Sequence, residues 1–310
     1  MSLTPEQKKL RRSGIGGSDA AAIMGLSKWN TALDIYLEKL STEDPYDDVS
    51  NSFMEWGNNL EPLIVRQFEK VTGNQCLIVK DQFRHPDHNF MLANIDAKLA
   101  NENALLECKA VFSWYSSKEW GEVGSDQIPE HYLIQCAHYA EVLDVDKVYI
   151  AVLLFGHDFR VYQYNRNRIL GNALIDKEKY FWHEHVLKGI PPTSTDINDS
   201  IKLYAHLADG SSRVAGRRIE NCIKEMKLIK TQAKMLNEAY KERTKEIYNA
   251  MQEAEYLNDE QGNNLASWKL QNSNRLDINL LKSEMPEVYN KYLRQSKARV
   301  LKLKGQQPEE

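Results

Sequence analysis

The chain has 310 residues, 42% of them hydrophobic and 27% charged, which fits either one large globular domain with an appendage or two domains. No apolar run approaches the about 20 residues that a membrane-crossing helix needs. The start carries no secretory signal, and Cys76, Cys108, Cys136 and Cys222 are too scattered for a zinc knuckle, an iron–sulfur cluster or a disulfide framework, so a cytoplasmic protein is expected. The net charge of −4 is unevenly spread. Residues 1–200 carry 20 Lys and Arg against 29 Asp and Glu, a net −9, and residues 201–310 carry 20 against 15, a net +5. An acidic first part accommodates carboxylates gathered around a cation, and a basic tail suits a polyanion.

In chain order, Ser18 or Asp19 can cap a short helix through Met24, and Thr31 a second one to about Leu40. A polar, acidic loop covers residues 41–52. Residues 53–72 then show helical spacing at Leu60, Ile64, Gln67 and Phe68, with Gly73 as a stop. A strand-rich block follows at 76–83, 90–100 and 104–112, the last two joined by Asn101-Glu102-Asn103. Pro129 suits the first turn of a helix reaching Leu143. Strands are expected at 148–155 and 159–164, turned by Gly156-His157-Asp158, and a helix at 168–188. Strands mixed with flanking helices give an α/β (α+β) core. Pro191-Pro192 mark a boundary, so the expected domains are 1–190 and 191–310. In the second, Ile219, Met226, Ile229, Leu236, Tyr240, Ile247 and Leu257 fall on one side of a long helix, roughly 60 Å at about 1.5 Å per residue. Two short strands, 265–270 and 300–304, are expected around a helix at 280–293.

The chemistry-bearing pattern lies in the hairpin. Side chains alternate faces along a strand, so Asn94, Asp96 and Lys98 share one face of the first strand, and Glu107 and Lys109 share one face of the second. A turn centred near Glu102 sets Asp96 opposite Glu107 or its neighbour, with Cβ atoms about 4.5–5.5 Å apart. Carboxylates that close repel one another unless a hard divalent cation takes their oxygens. Lys109 can then orient a water or steady phosphate charge. Read from the residues alone, Glu107 and Lys109 are equally an ordinary ion pair on a polar strand face.

Asp96 followed by Leu106-Glu107-Cys108-Lys109 resembles the D…(D/E)xK signature of restriction-endonuclease-like nucleases. Three further segments resemble motifs of the YqaJ-like viral recombinase family, relatives of phage lambda exonuclease, in the family's order: Gly14-Ile15-Gly16-Gly17-Ser18-Asp19, Trp56-Gly57-Asn58-Asn59-Leu60-Glu61-Pro62, and Gln135-Cys136-Ala137-His138-Tyr139. The match spans roughly residues 11–165. The resemblance implies a restriction-endonuclease-like core, a central mixed sheet flanked by helices, followed by a long-helix extension. It implies Mg²⁺, with Mn²⁺ substituting, held by Glu61, Asp96, Glu107 and the carbonyl of Cys108. Lys109 would assist the attacking water, and Gln135 would position it, with Tyr139 one turn beyond. The implied activity is 5′→3′ exonuclease action on double-stranded DNA ends for phage-type recombination in a bacterial host. A single-strand annealing protein would be the partner and a homotrimer the assembly.

The same resemblance assigns a 5′-phosphate grip to Arg11 and Ser18, with Arg12 as a substitute, and to Asn94, where the family has Ser. The glycines there permit close backbone approach, and a helix start favours an anion. A dinucleotide turn is a poor fit, because Asp19 stands where its third glycine belongs. Trp29 is expected in the core, Tyr139 likewise, and His85 and His88 in a surface turn. The Lys-rich stretch 224–245 reads equally as a solvated face or a DNA groove. Two other functions stay open: an endonuclease of the same fold, and a non-catalytic DNA-end-binding or assembly protein.

Overall fold

The computed structural model describes residues 10–41, 52–205, 207, 209–294 and 298–304. Among the described residues, helical positions 10–12 precede the helices α1 (Gly17–Ile23), α2 (Ala32–Leu40) and α3 (Ser52–Thr72). The Thr31 side chain accepts from the Asp34 amide and starts α2 as expected. α1 is capped differently. Its N-cap is Gly16, whose amide donates to Asp19 Oδ2 at 3.0 Å, so Ser18 and Asp19 lie inside the helix rather than before it. Residues 42–51 of the expected acidic loop lie outside the described residues.

Strands β1 (Cys76–Ile78), β2 (Phe83–Arg84), β3 (Leu92–Ala93), β4 (Ala97–Leu99) and β5 (Ala104–Val111) follow. Then come helices α4 (Trp114–Ser117) and α5 (Glu130–Leu143), strands β6 (Lys147–Leu154) and β7 (Asp158–Asn165), and helix α6 (Arg168–Tyr180), which runs on as a π turn over Phe181–Val186. The main sheet has the order β1-β4-β5-β6-β7, and β2 pairs with β3 apart from it. β5 and β6 are parallel and the other neighbours antiparallel, since only a crossover as long as the one carrying α4 and α5 can return a strand in the same direction.

Alternation along β5 and β6 divides the core. Leu105, Val148, Ile150, Val152 and Leu154 join a cluster with residues of α1, α2, α5 and α6. Ala104, Leu106 and Ala151 face Ile64, Val65 and Phe68 of α3. The sheet is thus covered on both faces, in a three-layer α/β arrangement.

Two compact units result, Met1–Leu203 and Tyr204–Glu310, a division later than the one expected at 190/191. Helix α7 (Ile197–Tyr204) accounts for the difference. Its buried Asp199 accepts from Thr31 Oγ1 at 2.7 Å and from the Thr195 amide at 3.0 Å, and Lys202 pairs with Asp34, tying residues beyond Pro192 to α2.

In the second unit α8 (Arg217–Met251) has 35 residues, about 52 Å at 1.5 Å per residue. It stops where Gln252 turns to φ 49°. The apolar spacing carried on to Leu257, but Leu257 lies in β8 (Tyr256–Asn258), paired with β9 (Asn264–Ser267). Helices α9 (Ile278–Glu284) and α10 (Pro286–Tyr292) replace the single helix expected there. Residues 300–304 form no strand.

Candidate active site

The first strand of the expected hairpin is broken. β3 ends at Ala93, β4 begins at Ala97, and Asn94 to Asp96 form a bend between them. β4 pairs with β5 only at Ala97↔Leu106 and Lys98↔Leu105. The next step of that register sets Asp96 beside Glu107, where the strands have already parted. Asp96 Oδ2 instead accepts the Cys108 amide at 2.7 Å.

Parity sends Glu107 and Lys109 toward α5 and Cys108 toward α3. From α5, Gln135 ties the first pair together. Lys109 Nζ donates to Glu107 Oε1 at 2.6 Å and to Gln135 Oε1 at 3.2 Å. Gln135 Nε2 donates to the same Glu107 oxygen at 2.8 Å and to the Tyr139 hydroxyl at 2.9 Å. The Lys109 ammonium also stands 4.6 Å from the Tyr132 ring centre, within cation–π range. Burial works against the Lys109 charge, but Glu107 and Tyr132 outweigh it and raise its pKa. Burial, then the charges of Glu107 and Glu61, push the Asp96 carboxyl well above the usual carboxylate range. Burial and Glu107 raise Glu61 of α3 as well. Three acids thus share one field, and Glu107 Oε2 is buried without a hydrogen-bond partner.

That orphaned oxygen and the mutual repulsion fit a divalent cation. Among the described residues, however, no three His, Cys, Asp or Glu side chains converge as a ready-made cage. Lys109 covers one Glu107 oxygen and Cys108 holds Asp96. A divalent cation that keeps several waters needs only one or two carboxylates, so a partial donor set is sufficient.

Arg11, Ser18 and Asn94 line a second, small cleft with Gly16, Gly17, Gln82, Leu92 and Tyr139. Arg11 Nη2 lies 3.4 Å from Ser18 Oγ and 3.2 Å from Asp19 Oδ1. Burial opposes the Arg11 charge, but Asp19 and Glu38 overcome it and raise the pKa. Asp19 is itself buried, yet Lys39, at 2.6 Å, and Arg11 hold its carboxyl below the usual range. Arg12 turns away, donating to the Ser41 carbonyl.

The structure therefore brings Asp96, Glu107, Lys109, Gln135 and Tyr139 together, with Glu61 near enough to perturb them, and gathers Arg11, Ser18 and Asn94 separately. Tyr139 is buried as expected. Trp29 is not in the core: it is 67% exposed, edge-on to His131 at 4.8 Å. His85 and His88 sit in a turn, where His85 Nδ1 accepts the Asp87 and His88 amides. Sequence reasoning missed Asp19 as the Arg11 anchor, the buried Lys39 that neutralises it, and Gln82. Lys39 carried a signal, being a charge on the apolar spacing of α2 with Leu33, Ile35 and Tyr36.

Residues 6–146 match the YqaJ-like viral recombinase domain. The uncharacterized protein YqaJ of Bacillus subtilis (strain 168) is 36% identical over 287 residues, 91% of this chain and 88% of its own. Among solved structures, LHK-Exo in complex with dAMP aligns at a TM-score of 0.50 and 17% identity, over 60% of this chain and 94% of its own. The alkaline exonuclease LHK-Exo from Laribacter hongkongensis aligns at 0.49 and 16%, over the same shares. The first of these likenesses bears on fold alone: a mixed sheet flanked by helices, as in that exonuclease. On the matched domain, and on a relative aligned along nearly the whole chain, the protein belongs to the YqaJ-like viral recombinase family.

Proposed function

We propose that the protein is a metal-dependent deoxyribonuclease, and more specifically a 5′→3′ exonuclease acting on double-stranded DNA ends. The observation that carries this is the Glu107–Lys109–Gln135 cluster beside Asp96, with Glu107 Oε2 buried and unpaired. Asp96, Glu107 and the Cys108 carbonyl would hold the cation, with Glu61 as a further ligand, most simply Mg²⁺ with Mn²⁺ substituting. Such an ion supplies charge stabilisation at the phosphoryl oxygens and acidifies a water for attack. Lys109, already donating to Glu107 and Gln135, serves as a hydrogen-bond donor rather than a base. It donates hydrogen bonds toward the attacking water and the phosphate. Gln135 holds it there, since both ends of its amide are engaged. Arg11 and Ser18, with Asn94, would hold a terminal phosphate, and that contact supports end-dependent rather than internal cleavage.

Family membership supports a role in recombination, with the 3′ strand passed to a single-strand annealing protein and a homotrimer as the assembly. Work on DNA ends would take place in the cytoplasm of the bacterial host; among the described residues no helix is long and apolar enough to cross a membrane.

The test uses a blunt duplex bearing a 5′-phosphate. Wild type should release nucleotides with Mg²⁺ or Mn²⁺ and not in EDTA, and Lys109→Ala should be slower by about 10²-fold or more. Robust cleavage in EDTA would sink the metal reading. Cutting of a covalently closed circle would convert the exonuclease into an endonuclease.

A further inference from the structure

A larger cleft of about 480 Å³ lies elsewhere on the first unit, lined by Ser13, Arg84, Phe90, Lys179, Trp182 and His183 among others. One wall is aromatic. Phe90, buried, lies nearly parallel to the half-buried Trp182, with centroids 6.2 Å apart and planes 16° apart, and the exposed His183 meets Phe90 edge-on at 5.9 Å. Phe90 therefore fixes two rings that remain accessible. The other wall is cationic. Arg84 is pinned by donating Nη1 to the Asn89 carbonyl at 2.8 Å and Nη2 to Ser13 Oγ at 2.6 Å. Lys179 stands exposed at the end of α6. Among the described residues neither cation has a carboxylate partner within 4.0 Å, and Asp87 is the one acid lining the cleft.

The cleft also abuts the phosphate cleft described above. Ile15 donates to the Phe90 carbonyl at 2.6 Å, and Leu92 donates to the Ile15 carbonyl at 2.8 Å. Phe90 is four residues from Asn94, at most about 14 Å of extended chain.

We propose that this cleft is a second nucleotide-binding site, taking a nucleobase against Trp182 and His183 and its phosphate on Arg84 and Lys179. Aromatic rings stack on any base, and guanidinium and ammonium groups are the usual partners of phosphate. The nucleotide is either one unit of a single strand or a free nucleoside monophosphate. The site stands apart from the Glu107 centre, so its binding does not depend on hydrolysis.

Binding is measured in EDTA with the full chain, by fluorescence anisotropy of a fluorescein-labelled oligo(dT) twelve nucleotides long. Failure of the nuclease reading therefore leaves the result untouched. Lys179→Glu should bind at least about fivefold more weakly, and its salt slope should fall by about one contact. Trp182→Leu should lose about fivefold or more, with a thermal melt checking its fold. His183→Ala, at an exposed position, replaces it if that melt is lowered. Free dTMP should displace the oligonucleotide at concentrations where inorganic phosphate does not. An oligonucleotide bound much more tightly than dTMP identifies a strand as the ligand, and equal affinities identify the free monophosphate. Wild-type binding by Lys179→Glu or by both aromatic variants overturns the proposal, as does phosphate competing as well as dTMP.

Discussion

Asp19 shows how a single buried charge can serve a surface site. Its carboxylate is 1% exposed and lies between Lys39, with a fully buried side chain, and Arg11, which reaches the cleft with Ser18. Removing one partner from a buried ion pair leaves the other uncompensated, which costs about 3–5 kcal/mol. Asp19→Asn should therefore destabilise the first unit by that amount and loosen Arg11 as well. The pH dependence follows from the lowered Asp19 pKa. A carboxyl with a depressed folded pKa contributes its stability above the unfolded value, about 3.9, and loses it as pH falls through the folded value. The gap in urea midpoint between wild type and Asp19→Asn should be wide at pH 7 and narrow steadily below about pH 4. A gap independent of pH would mean that the pair does not stabilise through charge. The sequence showed the carboxylates of the site but not this support. Asp19 in a glycine-rich stretch reads as a cap, and only the tertiary approach of Lys39 from α2 reveals its other role.

At the scale of elements, α1 meets α5 through a glycine. A Cβ on Gly17 would lie 2.6 Å from Tyr139 Cε1 and 2.9 Å from Gln135 Cγ. Gly17→Ala must therefore move α5 or the two side chains that hold Lys109. Overpacking of this kind costs about 1–3 kcal/mol, and we expect metal-dependent turnover to fall beyond what the lost stability explains, read at a temperature where both proteins are folded. Gly57 makes the contrast. It lies within α3, and a Cβ there meets nothing within 4 Å, so Gly57→Ala should stabilise by about 0.5–1 kcal/mol. A melting temperature that drops for Gly57→Ala would refute the propensity argument. Elements were legible in the sequence where period and punctuation agreed, as at Thr31 before α2 or Gly156 between β6 and β7. The gap at Asn94 to Asp96 was hidden, because Ala93, Ile95 and Ala97 keep a strand's alternation through it. The alternation still set Asp96 near Glu107, because the β4–β5 register extended one step beyond Ala97↔Leu106 pairs the two positions. Helix α8 was overextended for a related reason: the three-four spacing carries no mark at Gln252, whose positive φ ends the helix.

At the scale of the whole chain, the site and its supports all lie within Met1–Leu203, while residues 201–310 carry the net +5 and Lys202 is the only one of those charges before Tyr204. The second unit has its own small structure, in which Tyr248 of α8 stacks on Trp268 at 4.1 Å beside the β8–β9 hairpin. Chemistry and bulk positive charge are therefore separable along the chain. A protein ending at Leu203 keeps Asp199 and Lys202 on α2, so it should unfold cooperatively and retain metal-dependent hydrolysis of a short duplex. It should bind duplex DNA more weakly and with a shallower dependence on salt, because each phosphate contact released removes about 0.9 from the slope of log K against log salt. An unchanged slope would place the DNA contacts wholly in the first unit and make the exposed Lys and Arg of α8 a solvated face. A first unit that fails to fold would instead show that the second stabilises it. Those outcomes differ in what is measured, salt dependence in one case and cooperative melting in the other, so a single shortened chain distinguishes a basic unit that holds DNA from one that holds up the fold.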